Sequence, residues 1–293
     1  MRDLKGKPPI IMVMSDKGGV GKSVIAANLA VALSGYGMKV LLADADMAHP
    51  SIGLHFGIEP RRRNVKDFLE GKSPINCTLS RHKPSGIDLM LCDVGEEPFK
   101  LGAGMLYSAV SGALKVSKRY DFVVVDMAAM SRIYMMANDL KKDLHKYIDE
   151  MIIVAVPEIA DVVNTLKVEF GLDIMKINYV VVLNMVSGKE YELKKDIIEK
   201  TLGKKVFMEL PQDKLIPTSI YRHVPAVLLS PYSKFSIRIR ELAAHYIAAY
   251  YPKKSVSKIK QLAESEEEYE MKLKEDRFMG RKPVKRKTQH RIL

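Results

Sequence analysis

Cysteine is scarce in this sequence: its 293 residues contain only Cys77 and Cys92, and no CxxC pair. A disulfide framework and a CxxC metal site are therefore not expected. No apolar run approaches the roughly 18 residues that a membrane-spanning helix needs. The first residues, MRDLKGKPPIIMVMS, also lack the long apolar region of a signal peptide. These absences argue against secreted and membrane-spanning classes and predict a cytoplasmic protein.

Acidic residues are few relative to basic ones, and the net charge is +12. The excess is uneven, because residues 252–293 hold 13 Lys and Arg against 7 Asp and Glu, which is half of it. Residues 277–293 carry seven basic residues and no acidic one. This imbalance is unusual for a simple metabolic enzyme and predicts an anionic partner.

The stretch SDKGGVGKS, residues 15–23, crowds glycine beside lysine. It follows the apolar run of residues 10–14, which predicts a buried strand, and it precedes a helical pattern that ends near Gly35 and Gly37. A strand–loop–helix corner of this kind directs backbone N–H groups and the positive end of the helix dipole at an oligophosphate. Lys22 would then reach the β- and γ-phosphates, and the Ser23 hydroxyl would bind Mg²⁺.

Further apolar runs alternate with helical patterns along the chain, at residues 40–44, 87–92, 122–126, 151–156, 179–184 and 205–210. This alternation predicts a doubly wound α/β fold with a mostly parallel sheet, covered by helices on both faces. Residues 1–251 are predicted to form one P-loop domain whose last helix spans 233–251. Residues 252–293 are predicted to form a C-terminal extension, a charged helix followed by a basic tail.

Carboxylates follow two of the predicted strands. Asp44 and Asp46 end one strand, and Asp126 ends another, so all three should lie at the same sheet edge as the glycine loop. A buried carboxylate is costly unless it meets a cation or strong donors. Mg²⁺ held by Ser23 and, through water, by Asp126 would supply that cation. The alternative for such an Asp is capping of the next helix.

The glycine stretch is not a strict Walker A motif, because Asp16 stands where its first glycine would be. With its early lysine, Lys17, it resembles the deviant Walker A motif of the MinD/ParA class of P-loop ATPases. The D-x-D segment at residues 44–60 is similar to that class too, and Pro50-Ser51 is similar to its Mrp-type branch of metallocluster carriers. The resemblance covers roughly residues 8–250.

The resemblance implies ATP and Mg²⁺ as cofactors. It implies that Asp46 positions the hydrolytic water and that Lys17 reaches the phosphates of a second subunit, with Lys22 as the phosphate lysine of its own subunit. It places Asn184 at the adenine and Pro211 and Asp213 beside the base. The nucleotide-binding residues implied are Lys17, Gly18, Gly19, Val20, Gly21, Lys22, Ser23, Val24, Asn184, Pro211 and Asp213, and the metal residues are Ser23 and Asp126.

Three departures from the family pattern bear on activity. Asp16 puts an acid beside the phosphate site. Val24 replaces the usual hydroxyl residue that contacts the α-phosphate, and DMAAM, residues 126–130, lacks the proline and glycine usual after the Walker B aspartate. The sequence thus supports three functions. The first is an ATP-dependent homodimer that acts as a spatial-organisation switch on an anionic surface, with an unknown protein cargo or activator. The second is an Mrp-like metallocluster carrier, and the third is a nucleotide-binding scaffold with little hydrolysis.

The basic tail leaves its partner open between nucleic acid, an anionic membrane and a protein. Its apolar residues are few and Pro283 interrupts any helix, whereas a membrane-binding helix has a broad apolar face. Sequence-independent DNA binding through counterion release is the expectation. The protein would then be cytoplasmic and associated with the nucleoid. If the tail binds an anionic membrane instead, the protein would be associated with the membrane surface.

Overall fold

The structure is a computed structural model and describes residues 7–46, 49–60, 67, 72–92, 116–129, 148–174 and 176–252. The chain divides into two units. Met1–Tyr246 contains the whole sheet, and Ile247–Leu293 is described only over residues 247–252. The predicted charged helix and basic tail therefore lie outside the described residues.

Within the described residues, eight strands form one sheet in the order β3-β4-β2-β5-β1-β6-β7-β8. The strands are β1 (Ile10–Met14), β2 (Val40–Asp44), β3 (Leu79–His82), β4 (Ile87–Met90), β5 (Phe122–Asp126), β6 (Glu150–Ala155), β7 (Tyr179–Val186) and β8 (Val206–Pro211). Neighbouring strands are parallel except for the β3–β4 pair, which is antiparallel. The predicted mostly parallel α/β fold is confirmed.

Seven α-helices and one short 3-10 helix are found in the described part of the chain. They are α1 (Lys22–Gly35), α2 (Ile52–Phe56), the 3-10 turn (Ile75–Cys77), α3 (Ile159–Ile174), α4 (Lys195–Leu202), α5 (Leu215–Tyr221), α6 (Ala226–Leu229) and α7 (Lys234–Tyr250). Among the described residues, no helix combines the length and apolar character that crossing a bilayer demands.

Every residue of β1, β2 and β5 is buried. Burying an aliphatic side chain stabilises the fold by roughly 1.5–3 kcal/mol relative to leaving it exposed, so these strands form the centre of the core. Their register brings Asp44 of β2 beside Asp126 of β5. Two acids thus end neighbouring strands at the carboxyl edge of the sheet, the edge at which the parallel strands end.

Most strand boundaries agree with the sequence prediction to within one residue, and three differences are larger. β4 ends at Met90, two residues before the predicted Cys92. β7 continues past Asn184 to Val186, with an irregular register against β8 and a positive φ of 58° at Met185. The antiparallel strand β3 was not predicted, because LSRH contains no apolar run.

Candidate nucleotide-binding site

The glycine loop connects β1 to α1 at the carboxyl edge. Gly19 and Gly21 have φ values of 82° and 94°, in the left-handed region where a side chain is strained. Gly21 directly precedes α1, whose first turn has neither an acidic residue nor a side-chain cap on its N–H groups. The free N–H groups of a helix N-terminus bind anions, so the loop has the geometry that an oligophosphate needs.

Asn184 lies beneath this loop. Its side chain is buried, and its Nδ2 donates a hydrogen bond of 2.8 Å to the Val20 carbonyl oxygen. A Cβ on Gly21 would lie 2.3 Å from the same Nδ2. Gly21 is therefore required by its backbone conformation and by its closeness to Asn184. In this structure Asn184 supports the loop, and its contact with adenine stays a prediction.

Asp44 organises the D-x-D segment. Its Oδ1 accepts the N–H of Asp46 at 3.1 Å, and its Oδ2 accepts those of Ser51 and Ile52 at 2.9 and 3.0 Å. Burial raises the pKa of Asp44 to about 7, and these backbone hydrogen bonds oppose the rise. Asp44 thus caps α2, which is the structural alternative to metal binding for an acid at a strand end.

Asp126 has no such partners. Its side chain is 0% exposed, and neither carboxylate oxygen makes a hydrogen bond within the described residues. Burial and then the charge of Asp44 raise the pKa of Asp126 well above its usual range, while the Ser23 hydroxyl and the Lys22 ammonium lower it. Ser23 therefore lies close to Asp126 without making a hydrogen bond of normal geometry to it.

A magnesium ion fits this arrangement. No group of three or more His, Cys, Asp or Glu side chains in the described chain could hold a metal by itself. Mg²⁺ instead commonly binds one or two carboxylates together with substrate phosphates. An unpartnered buried carboxylate beside a serine and a phosphate loop supplies that donor set, so Ser23 and Asp126 would hold the ion.

The two lysines of the loop differ in their surroundings. Lys22 is the first residue of α1 and is 7% exposed. Lys17 has a side chain 36% exposed, and its Nζ lies 3.1 Å from Glu158 Oε2 and 3.6 Å from Asp161 Oδ1. Burial lowers the pKa of Lys17, but the hydrogen bond to Glu158 and the nearby Asp161 outweigh it and raise the pKa.

Glu158 and Asp161 were missed by the sequence analysis. They follow β6, and Asp161 Oδ2 also accepts the Val156 N–H at 2.6 Å. The available signal was the pair of acids in VPEIAD directly after a predicted strand, since the ends of parallel strands meet at one edge. Lys17 meets Glu158 and Asp161 because β6 lies beside β1. This strand order could not be predicted from the sequence alone.

The remaining predicted residues lie at the same edge or in the turns beyond it. Asp46 follows β2, is half-buried, and accepts the N–H of His49 at 3.1 Å through Oδ1. Val24 is half-buried in the first turn of α1. Pro211 ends β8 opposite Val186. Asp213 accepts the Leu215 N–H at 2.9 Å and so caps α5.

This geometry defines a P-loop nucleotide-binding protein of the α/β class. More particularly, residues 11–226 match the CobQ/CobB/MinD/ParA nucleotide binding domain, and the chain belongs to this family. The predicted membership is confirmed.

The chain is also similar to individual proteins and to a solved structure. The chain is 30% identical over 247 residues to an uncharacterized ATP-binding protein of Methanocaldococcus jannaschii, which covers 82% of this chain and 88% of that protein. It is 26% identical over 234 residues to a putative septum site-determining protein MinD of Oltmannsiellopsis viridis, covering 77% and 71%. The fold is similar to that of Pyrococcus horikoshii MinD complexed with Mg-ADP, with a TM-score of 0.69, 23% identity, and coverage of 82% of this chain and 96% of that one.

Proposed function

We propose that this protein is a Mg²⁺-dependent ATPase that works as a nucleotide-driven dimerisation switch. The observation that carries the proposal is Asp126, which is fully buried at the edge of the phosphate loop and whose two oxygens have no hydrogen-bond partner among the described residues. A buried carboxylate without a partner is costly, and a magnesium–nucleotide complex would remove that cost. The relative of known structure binds Mg-ADP, which supports the same ligand here.

The residues of the loop then have distinct tasks. The N–H groups of residues 18–22 and the Lys22 ammonium bind the phosphate oxygens and stabilise the charge that develops during hydrolysis. Asp46 orients the attacking water. Ser23 and Asp126 hold Mg²⁺, which neutralises phosphate charge when it is bound.

Dimerisation is proposed to depend on Lys17. In the single chain Lys17 contacts Glu158 and Asp161 of its own subunit. Reaching the phosphates of a second subunit requires this ion pair to open. Because the Lys17 side chain is partly exposed, the pair contributes little, about 1 kcal/mol or less, and the phosphates of ATP can compete for it.

Light scattering tests the switch. An Asp46→Ala protein, which should bind ATP without hydrolysing it, is expected to be a dimer with ATP and a monomer with ADP. Adding Lys17→Ala should abolish the ATP-dependent dimer, whereas adding Lys167→Ala, which removes an exposed lysine on α3, should not. A dimer that survives Lys17→Ala would show that the cross-subunit role is wrong.

The basic tail is proposed to bind the phosphate backbone of DNA without sequence preference, and so to supply the anionic surface. The segment 277–293 has seven basic residues. They could contribute at most about 6 to the magnitude of the slope of log binding constant against log salt concentration. Duplex DNA and anionic liposomes should be compared, with ATP and across a salt series, for the full chain and for a chain that ends at Lys274. Unchanged DNA affinity on truncation would reject the tail as the DNA contact, and tail-dependent binding to liposomes alone would favour a membrane.

Two measurements separate this proposal from its alternatives. Iron and sulfide bound after anaerobic reconstitution would favour the metallocluster carrier. ATP binding with no phosphate release, with or without DNA, would favour a nucleotide-binding scaffold.

A further inference from the structure

A cavity lies away from the phosphate loop, beside the starts of β2 and β5. Its volume is about 490 Å³, within the range of roughly 300–1,000 Å³ typical of small-molecule sites. Lys39 precedes β2, and Arg119 and Tyr120 precede β5, so the cavity opens at the amino edge of the sheet, where the parallel strands begin. None of the residues predicted from the sequence to bind nucleotide lines it.

The charge of this cavity is positive. Its charged lining residues are Lys39, Arg81, Arg119 and Asp88. The one acid is already engaged, because Arg81 Nη1 donates to Asp88 Oδ1 at 2.9 Å and the Tyr120 hydroxyl donates to Asp88 Oδ2 at 2.9 Å. The Arg81–Asp88 pair is neutral as a unit, which leaves the charges of Lys39 and Arg119.

Lys39 and Arg119 are both exposed, and neither belongs to an ion pair among the described residues. The Lys39 backbone is nevertheless fixed, since its N–H donates to Asp121 Oδ2 at 2.8 Å and its carbonyl accepts the Asp121 N–H at 2.7 Å. Two cations without an ion-pair partner among the described residues thus line one cavity, while the Asp121 carboxylate accepts the Lys39 backbone N–H.

The other walls are apolar or fixed in place. Leu79, Met38 and Val40 line the cavity, and Met38 and Val40 are buried core residues. Tyr120 is held by its hydrogen bond to Asp88, and the Arg81 guanidinium crosses the turn at Gly86, where a Cβ would lie 3.8 Å from Nη2. The cavity therefore offers cations beside a preformed apolar wall.

We propose that this cavity binds a small organic phosphate, with the phosphoryl group between Lys39 and Arg119 and the carbon part against Leu79. A phosphate monoester carries a charge of about −1.5 to −2 at pH 7, which matches two cations that have no ion-pair partner in the described chain. A carboxylate carries only −1 and would leave one of them unpaired. The apolar wall disfavours inorganic phosphate, which has nothing to place there.

Phenyl phosphate is a suitable probe, used with the full chain in saturating Mg-ADP so that the phosphate loop is filled. Calorimetry should show saturable binding. Lys39→Ala and Arg119→Ala should each weaken it by about tenfold or more, because each removes a charged hydrogen-bond donor. The matched controls Lys118→Ala and Lys83→Ala remove exposed lysines of the same charge outside the cavity lining and should change it by less than about twofold.

Several results would overturn the proposal: no saturable binding of phenyl phosphate, equal weakening in the controls, or binding of benzoate as tight as that of phenyl phosphate. A cavity variant that lowers the affinity for short duplex DNA, in a protein that does not bind phenyl phosphate, would make this edge a nucleic-acid contact instead. Thermal unfolding of each variant checks that the fold is kept.

Discussion

The acidic side chains at the two edges of the sheet differ in whether they accept hydrogen bonds from the fold. At the amino edge, Asp121 accepts the Lys39 N–H, Asp149 accepts the Ile10 N–H at 2.9 Å, and Glu150 accepts the Tyr246 hydroxyl at 2.8 Å. At the carboxyl edge Asp44 is satisfied in the same way, but the buried Asp126 carboxylate has no hydrogen-bond partner among the described residues. Acids at the strand ends that complete the fold find donors within it, so the strand-end acid left without a donor marks where a ligand is needed.

The largest effect on ATP affinity is expected when the unpartnered acid of the carboxyl edge is replaced by a neutral amide. Asp126→Asn should weaken Mg²⁺-dependent ATP binding by roughly 100-fold, the upper range for loss of a metal-site group. It should leave the nucleotide-free protein as stable or more stable, because it removes an acid that is costly to bury. Calorimetric ATP titrations with and without Mg²⁺, together with thermal unfolding, measure both effects.

The control lies on the opposite edge. Asp121→Asn keeps an oxygen for the Lys39 N–H and should change neither quantity. If Asp126→Asn destabilises the nucleotide-free protein as a structural acid would, the contrast between the edges fails.

A smaller effect on ATP affinity is expected from substitutions in the glycine loop at the carboxyl edge. Gly21→Ala should weaken ATP binding about tenfold more than Gly19→Ala. Both changes place a side chain at positive φ, at about 1–2 kcal/mol each, but only Gly21→Ala meets Asn184, whereas a Cβ on Gly19 has nothing within 4 Å.

A double variant isolates this contact. Adding Asn184→Ala to Gly21→Ala should recover part of the lost affinity in the same titration. No recovery would mean that the Gly21 conformation alone decides.

The smallest effect on a measured quantity is expected at Glu169, a buried acid near the amino ends of β7 and β8 that is an exception to the pattern of satisfied acids. Glu169 on α3 has a buried oxygen without a hydrogen-bond partner in the described part of the chain, and burial raises its pKa to about 7, against the lowering influence of Lys204. An acid whose pKa is higher in the folded state costs stability as pH rises from about 4.5, where the unfolded chain ionises, through 7. Glu169→Gln should therefore stabilise the protein by about 1–2 kcal/mol at pH 8 and have little effect at pH 4.

Urea unfolding at the two pH values measures this difference. Glu190→Gln, which changes an exposed acid, serves as the matched control and should be neutral. A stabilisation by Glu169→Gln that is equal at both pH values would contradict the proposed ionisation.

Local pattern predicted most of this fold, and the failures follow a physical rule. Continuous apolar runs predicted β1, β2 and β5, because strands buried on both faces need no partner to be recognised. The short strand β3 was missed, since it is defined by its pairing with β4. In the site, the structure places Lys22 near Asp126 at the carboxyl edge, and the roles of both residues stay predictions. The contacts of Lys17 with Glu158 and of Asn184 with Val20 could not be predicted, because they join residues 141 and 164 positions apart.

The strand order also has a consequence for translation. β1 is synthesised first, yet it lies between β5 and β6, whose last residues are Asp126 and Ala155. A nascent chain that stops before Ala155 has the whole glycine loop but lacks one of the strands that flank it. Contacts between such distant segments form slowly, because a long loop must close first. A ligand that binds only the folded state stabilises that state alone, so a nucleotide at the glycine loop would stabilise the chain only after β6 has joined the sheet.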